Sequence, residues 1–278
     1  MELVKEIFQH LNGWGLTAIL FIVGILEFSF GLYKKWKLND KLVDLASILF
    51  GKLLMPVLVS YFALQLLPKV APEYKEIFNW VPFWWGFFII CIADDLTQYW
   101  YHRLHHEIPW LWKFHRTHHS APYMGMAMAS RQGFFYTLLF PQTYVTTTLV
   151  FLGLGVPALI ARGVKGLITM MAHSSIKWDK PFYDNKWLHP IAWVMERTIS
   201  TPATHHAHHA AHDRDGIGHY NGNYGNMFFL WDVIFGTAKI TRQYPEEYGL
   251  EEYQDDSWYS QVLYPLVKSD KPGSELAE

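Results

Sequence analysis

The chain has 278 residues, enough for one large domain or two small ones, and 51% of them are apolar while only 17% are charged. A net charge of −2 and an isoelectric point near 6.7 exclude the broad basic field of a nucleic-acid binder, so no nucleic-acid partner is expected. The single cysteine, Cys91, excludes an intrachain disulfide and any cysteine-built zinc site.

The opening segment, MELVKEIFQHLNGWG, lacks a basic region leading into an apolar core and a cleavage site, so it reads as mature sequence. Residues 14–33 form the first apolar run, broken by one charge, Glu27, and of the length a spanning helix needs. Residues 45–67 form a second run, carrying Lys52 and Pro56. Residues 80–101 form a third, with Trp80, Trp84 and Trp85 at one end and Tyr99, Trp100 and Tyr101 at the other, the pattern of interfacial belts. Residues 134–172 are too many for one span, and LGLGVP (152–157) is expected to fold them into a hairpin of two helices. The expected fold is an all-α integral membrane protein with about four transmembrane helices in two hairpins; run lengths of this kind argue against a large soluble helical core.

Four lysines in 34–41 and two in 68–79 place the first loop in the cytoplasm, and with it the sequence following the third span. The whole chain, 1–278, is read as one membrane domain. Residues 102–133 and 173–243 form a histidine-rich cytoplasmic cap, and 244–278 form an acidic C-terminal tail whose run PEEYGLEEYQDD reads as solvated surface. The last residues, SDKPGSELAE, show no lipidation or retrieval motif.

Thirteen of the fifteen histidines lie between His102 and His212. His102 and His106 are four apart and share a helix face, and Pro109 is expected to stop that helix at Ile108. His115, His118 and His119 form an HxxHH group, His173 stands alone, and His205, His208 and His209 form a second HxxHH group. Crowded imidazolium ions repel one another, while crowded neutral imidazoles need a partner on each ring nitrogen; a metal resolves both difficulties. Nine candidate ligands exceed the needs of one tetrahedral ion and suit two metals with about four imidazoles each. Nitrogen ligation suits zinc, copper, iron and nickel alike, and a nitrogen-rich redox pair beside lipid argues for iron.

The series HxxxH, HxxHH, lone His, HxxHH resembles the fatty acid hydroxylase/sterol desaturase superfamily of membrane di-iron oxygenases. The likeness extends through DLTQYWYHRLHH, FHRTHHSA, STPATHHAHH and NYGNMFFLWDVIFGT, roughly residues 80 to 240. Its C-terminal portion looks closer to bacterial sterol-desaturase-like proteins and alkylglycerol monooxygenases than to acyl-CoA desaturases. The resemblance implies two iron ions (Fe2+/Fe3+) in a cytoplasmic helical cap, with dioxygen as co-substrate. It also implies a lipid substrate (acyl chain, alkyl ether or sterol) that is hydroxylated or desaturated at an unactivated C–H bond. Carried over residue by residue, the ligands are His102, His106, His115, His118, His119, His173, His205, His208 and His209, with His189 as a further candidate. Asp95, two helical turns before His102, is the expected carboxylate partner of a ligating histidine. No haem or iron–sulfur pattern is present, so electrons are expected from a separate donor: cytochrome b5, a ferredoxin with its reductase, or a tetrahydropterin. The expected location is the bilayer of a bacterial inner membrane rather than the endoplasmic reticulum.

His105 and His206 are extras at positions the spacing does not require, and His10, His212 and His219 read as ordinary surface histidines. Arg162 and Lys165 either snorkel to an interface or face an anionic headgroup; snorkelling is the expectation. Two other classes fit the sequence less well. A metal-binding or transport protein would place its histidines near the bilayer midplane, and an intramembrane zinc hydrolase would carry an HExxH motif, which this chain lacks.

Overall fold

A computed structural model describes residues 22, 24–27, 29, 36–252 and 254–277. The first predicted span, 14–33, lies largely outside the described residues, as does His10. Among the described residues the chain is helical without strands, its one β-type pairing being an isolated bridge between Ala210 and Tyr248.

Helix α1 runs over Leu38–Val70 and includes π-helical turns at Phe50–Leu54 and Phe62–Leu66. Helix α2 spans Phe83–Glu107 and α3 spans Pro109–His119. Pro109 explains the break: it drives Ile108 to φ −106°, ψ 114°, ending α2, and then serves as the preorganised first residue of α3. Next come α4 (Phe134–Leu138), α5 (Pro141–Leu149) and α6 (Gly155–His173). The chain reverses between α5 and α6 at Gly153, which holds φ +113°. A Cβ there would lie 2.7 Å from the Asn79 amide nitrogen, because residues 76–78 hydrogen-bond to the Phe151 and Leu152 carbonyls.

Helix α2 is central. Its Gly86 lets Pro157 of α6 approach to 3.0 Å of where a Cβ would sit, and Ile90 and Cys91 pack with Leu154, Ala158, Ala161 and Met227. Asp94 accepts from Thr146 of α5 at 2.6 Å and pairs with Lys165 of α6, so both arms of the hairpin flank α2. Lys165 therefore turns inward to the Asp94 and Asp95 carboxylates instead of snorkelling.

Two helical stretches among the described residues are long and apolar enough to cross a membrane, Leu38–Val70 and Phe134–His173. Only 22% and 33% of their most apolar windows are buried, which separates them from the core helices of a soluble protein. Leu45, Leu53, Val57 and Leu64 of α1 and Trp84, Trp85 and Phe88 of α2 are all exposed. A bilayer covers such a surface; water would forfeit about 1.5–3 kcal/mol for each large side chain left unburied. The third predicted span, α2, does not meet the same test, since Asp94, Asp95 and Gln98 interrupt its apolar run.

The C-terminal part adds α7 (Lys180–Asp184), α8 (His189–Thr198), α9 (Pro202–His208), α10 (Leu230–Phe235) and α11 (Trp258–Leu263). The acidic run is not wholly solvated: Asp256 is buried and pairs with Arg116 at 2.9 Å, fastening the tail to α3.

Candidate metal centre

The histidines meet where four chain segments end together. His102 and His106 close α2, His115, His118 and His119 close α3, His173 ends α6, and His205, His208 and His209 close α9. They form two groups: His102, His106, His115, His119 and His208 in one, and His118, His173, His205 and His209 in the other. Within each group one nitrogen per ring lies within 4.8 Å of all the others. Helix periodicity does the sorting. In each HxxHH segment the outer pair, four apart, serves one group, and the middle histidine, rotated away, serves the other.

The hydrogen bonds define the tautomers. Nδ1–H of His102 donates to the Tyr224 carbonyl at 2.7 Å, that of His118 to Arg131 at 3.0 Å, that of His173 to Thr169 at 2.7 Å and that of His208 to Gly222 at 2.7 Å. Their Nε2 lone pairs are thereby left facing one another: His102 and His208 at 3.1 Å, His118 and His173 at 3.3 Å. Two lone pairs at that separation repel unless a cation lies between them. Protons do not supply it. Burial holds His102 down to about 4 and holds His106, His115, His118, His119, His205, His208 and His209 well below the ordinary imidazole value, with neighbouring histidines adding to the depression. Further nitrogens, His106 Nε2, His119 Nε2 and both ring nitrogens of His115 and of His209, are buried without any hydrogen-bond partner. A buried polar atom left in that state costs about 1–3 kcal/mol. The donor set fits two nitrogen-ligated metal ions.

The remaining sequence candidates lie elsewhere. The His189 Nε2–H donates to the Tyr183 carbonyl at 2.9 Å, outside both groups. His105 donates to the Tyr101 carbonyl at 2.7 Å, and His206 is held between the Ser174 carbonyl at 3.0 Å and the Tyr248 hydroxyl at 3.1 Å. His219 bonds the Thr237 carbonyl at 3.2 Å and His212 lies 3.5 Å from Glu247.

Asp95 does not touch a histidine. It accepts from the Met227 and Phe228 amides at 3.2 and 2.9 Å and from the Trp231 indole at 3.0 Å. Seven residues of helix advance about 10.5 Å, too far for its short side chain to reach the His102 ring. Instead it fastens the segment whose Tyr224 carbonyl orients His102. Asp232 secures the same segment through the Tyr224 and Gly225 amides at 2.8 and 2.6 Å, and Asn223 ties it to the Thr204 and Lys239 carbonyls, each at 2.9 Å.

Arg131 was not singled out in the sequence. Fully buried, it pairs with Asp40 at 3.1 Å and Asp44 at 2.9 Å on α1 and donates to the Thr117 carbonyl at 2.9 Å. Its own carbonyl takes the His118 proton, so α1 reaches the second histidine group through this one residue. Glu27 acts similarly, accepting from the Met126 amide at 3.0 Å and from Ser174, beside His173, at 2.8 Å. Neither Arg131 nor its acids form a local motif, so no sequence signal marks them.

A cavity of about 310 Å³ opens beneath the histidines, lined by His102, His115, His118 and His173 at one end and by Asp94, Arg162 and Lys165 at the other.

Comparison with known proteins agrees with this arrangement. A model of the fatty acid hydroxylase family matches residues 87–237, which include all nine clustered histidines. The chain is also 25% identical, over an alignment of 254 positions, to an alkylglycerol monooxygenase of Xenopus tropicalis; the match covers 80% of this chain and 46% of that protein. The chain thus spans about half the length of that curated relative. No solved structure matches it. With its family match extending over more than half its length and across every segment that builds the histidine cluster, the chain belongs to the fatty acid hydroxylase family.

Proposed function

We propose that this chain is a membrane di-iron monooxygenase that hydroxylates a lipid at an unactivated C–H bond. The observation that carries this reading is the division of nine imidazoles, eight of them buried and His106 half-buried, into two groups with inward-facing lone pairs. His102, His106, His115, His119 and His208 would hold one ion, and His118, His173, His205 and His209 the other. When bound, the irons supply the redox chemistry that inserts one oxygen atom of O2 into the C–H bond; the other leaves as water, with two electrons and two protons from outside. The chain contributes the rest: carbonyls that fix imidazole orientation, burial that keeps the rings neutral, and a cavity that brings a lipid to the histidines.

The relative's name, alkylglycerol monooxygenase, favours hydroxylation over desaturation and a glycerol lipid as substrate. The electron donor is a separate protein or a small reductant. Four spans with the histidine cap on the cytoplasmic side, in a bacterial inner membrane, remain the topology that the lysine-rich loop 34–41 and the motif likeness favour. A transporter is not favoured, since the histidines gather at helix ends instead of along a path between the two long apolar helices.

The test is metal content of untagged protein extracted from iron-supplemented cells without chelators. About two irons per chain, lost in His118→Ala, is the expected result. Zinc as the only metal bound, or a single ion per chain, would overturn the di-iron reading.

A further inference from the structure

The cavity wall between the histidines and the Asp94–Lys165 pair is polar at a depth where a hydrocarbon substrate needs none. Gln142, 5% exposed, turns into it with its Oε1 lacking any partner, and Gln132 Oε1 and Thr169 Oγ1 are buried on the same wall, also without partners. Thr169 stands one helical turn before His173, and Gln98, on the same wall, one turn before His102. The three unpartnered atoms come from α5, α6 and the segment joining α3 to α4, so the fold brings them together and no single motif does.

We propose that this wall is a headgroup subsite. The substrate presents a neutral, hydroxyl-bearing polar end to Gln132, Gln142 and Thr169. The word substrate rests on the oxygenase reading; the binding site does not. An alkyl chain in this place would leave the three polar atoms unpaired. Ethers and esters only accept, whereas the glutamine carbonyl oxygens require a donor, and a hydroxyl both donates and accepts.

An anionic headgroup fits poorly. Lys165 is already bonded to Asp94 and lies 3.7 Å from Asp95, so its charge is neutralised, and the other cation that lines the cavity, Arg162, is exposed to solvent instead of buried beside the three unpartnered atoms.

The experiment is calorimetric titration of the full chain in phosphatidylcholine nanodiscs with two probes of equal chain length, 1-O-dodecylglycerol and dodecyl phosphate. Dodecylglycerol should bind at least about tenfold more tightly. Gln142→Leu and Thr169→Val should each weaken it by about fivefold to tenfold, the loss of one hydrogen bond, Gln142→Leu without changing metal content, and Thr169→Ser should retain the binding that Thr169→Val loses. Equal or tighter binding of dodecyl phosphate would overturn the proposal. So would undiminished dodecylglycerol binding in both Gln142→Leu and Thr169→Val. Protein that takes up no iron in iron-supplemented cells yet keeps the preference would support the subsite while counting against the oxygenase. Iron-loaded protein with no preference would remove the subsite alone.

Discussion

Four of the clustered imidazoles, His102, His118, His173 and His208, are oriented by a hydrogen bond from Nδ1–H to a backbone carbonyl. For His102 that bond runs to the Tyr224 carbonyl, and the Tyr224 amide is held in turn by Asp232, a carboxylate outside both histidine groups. Asp95 is another such carboxylate, accepting from three N–H donors that an asparagine oxygen cannot all satisfy. Asp95→Asn should lower stability by about 1–3 kcal/mol and reduce metal retention, read by denaturation midpoint and by metal per chain after dialysis. Unchanged retention would mean that the 224–231 segment holds itself in place. His206, buried but satisfied by Ser174 and Tyr248, provides the contrast. His206→Gln should keep both ions, whereas His119→Ala, which removes a nitrogen from the five-histidine group, should not; equal metal content in the two variants would contradict the grouping.

At the level of helices and turns, two devices set the geometry. Pro109 ends α2 and begins α3, folding the second histidine segment back onto the first. Gly153 reverses the apolar run so that α6 returns His173 to the same end as His102. Gly153→Ala combines a left-handed backbone with a 2.7 Å approach to the Asn79 amide, and should cost about 2 kcal/mol or more, measured by chemical denaturation in detergent. A neutral result would show that loop 76–79 yields easily. Arg131 joins α1 to the cluster as a buried ion pair with two acids. Arg131→Met would strand Asp40 and Asp44 and should cost about 3–5 kcal/mol, while charge-neutral replacement of all three should recover much of it. Failure of the triple variant to recover would assign the loss to the Thr117 and Ser120 contacts instead.

For the molecule as a whole, the clustered rings are folded in a neutral state that the unfolded chain does not share. Unfolded histidines titrate near about 6.5, whereas burial holds His102 to about 4 and its neighbours well below the usual value. Between those limits the unfolded chain binds protons that the folded chain refuses, so stability falls as pH drops below about 6.5. Each such histidine contributes up to about 1.4 kcal/mol per pH unit across its window. Chelator-treated protein should therefore unfold at distinctly lower denaturant at pH 5.5 than at pH 7.5; equal midpoints would mean that the rings are not neutral and buried together.

Much of this is written in local sequence, because helix periodicity is local. The HxxxH and HxxHH spacings put outer histidines on one face, Pro109 marks a helix end, and the run of 39 residues from 134 to 172 is too long for one span. Which histidine joins which group was not legible, since His118 and His208 leave the faces of their own helices to meet rings from other segments. The roles of Asp95, Lys165 and Asp256 differ from the sequence expectation for a related reason: a carboxylate or ammonium takes the nearest donor, acceptor or counter-ion, and nearness across 70 to 140 residues is a tertiary fact. The sequence by itself determined helices, apolar runs and a cluster of nitrogen donors. Only the tertiary structure decided the two groups, the Arg131 link and the polar cavity, because those depend on which side chains share a desolvated space.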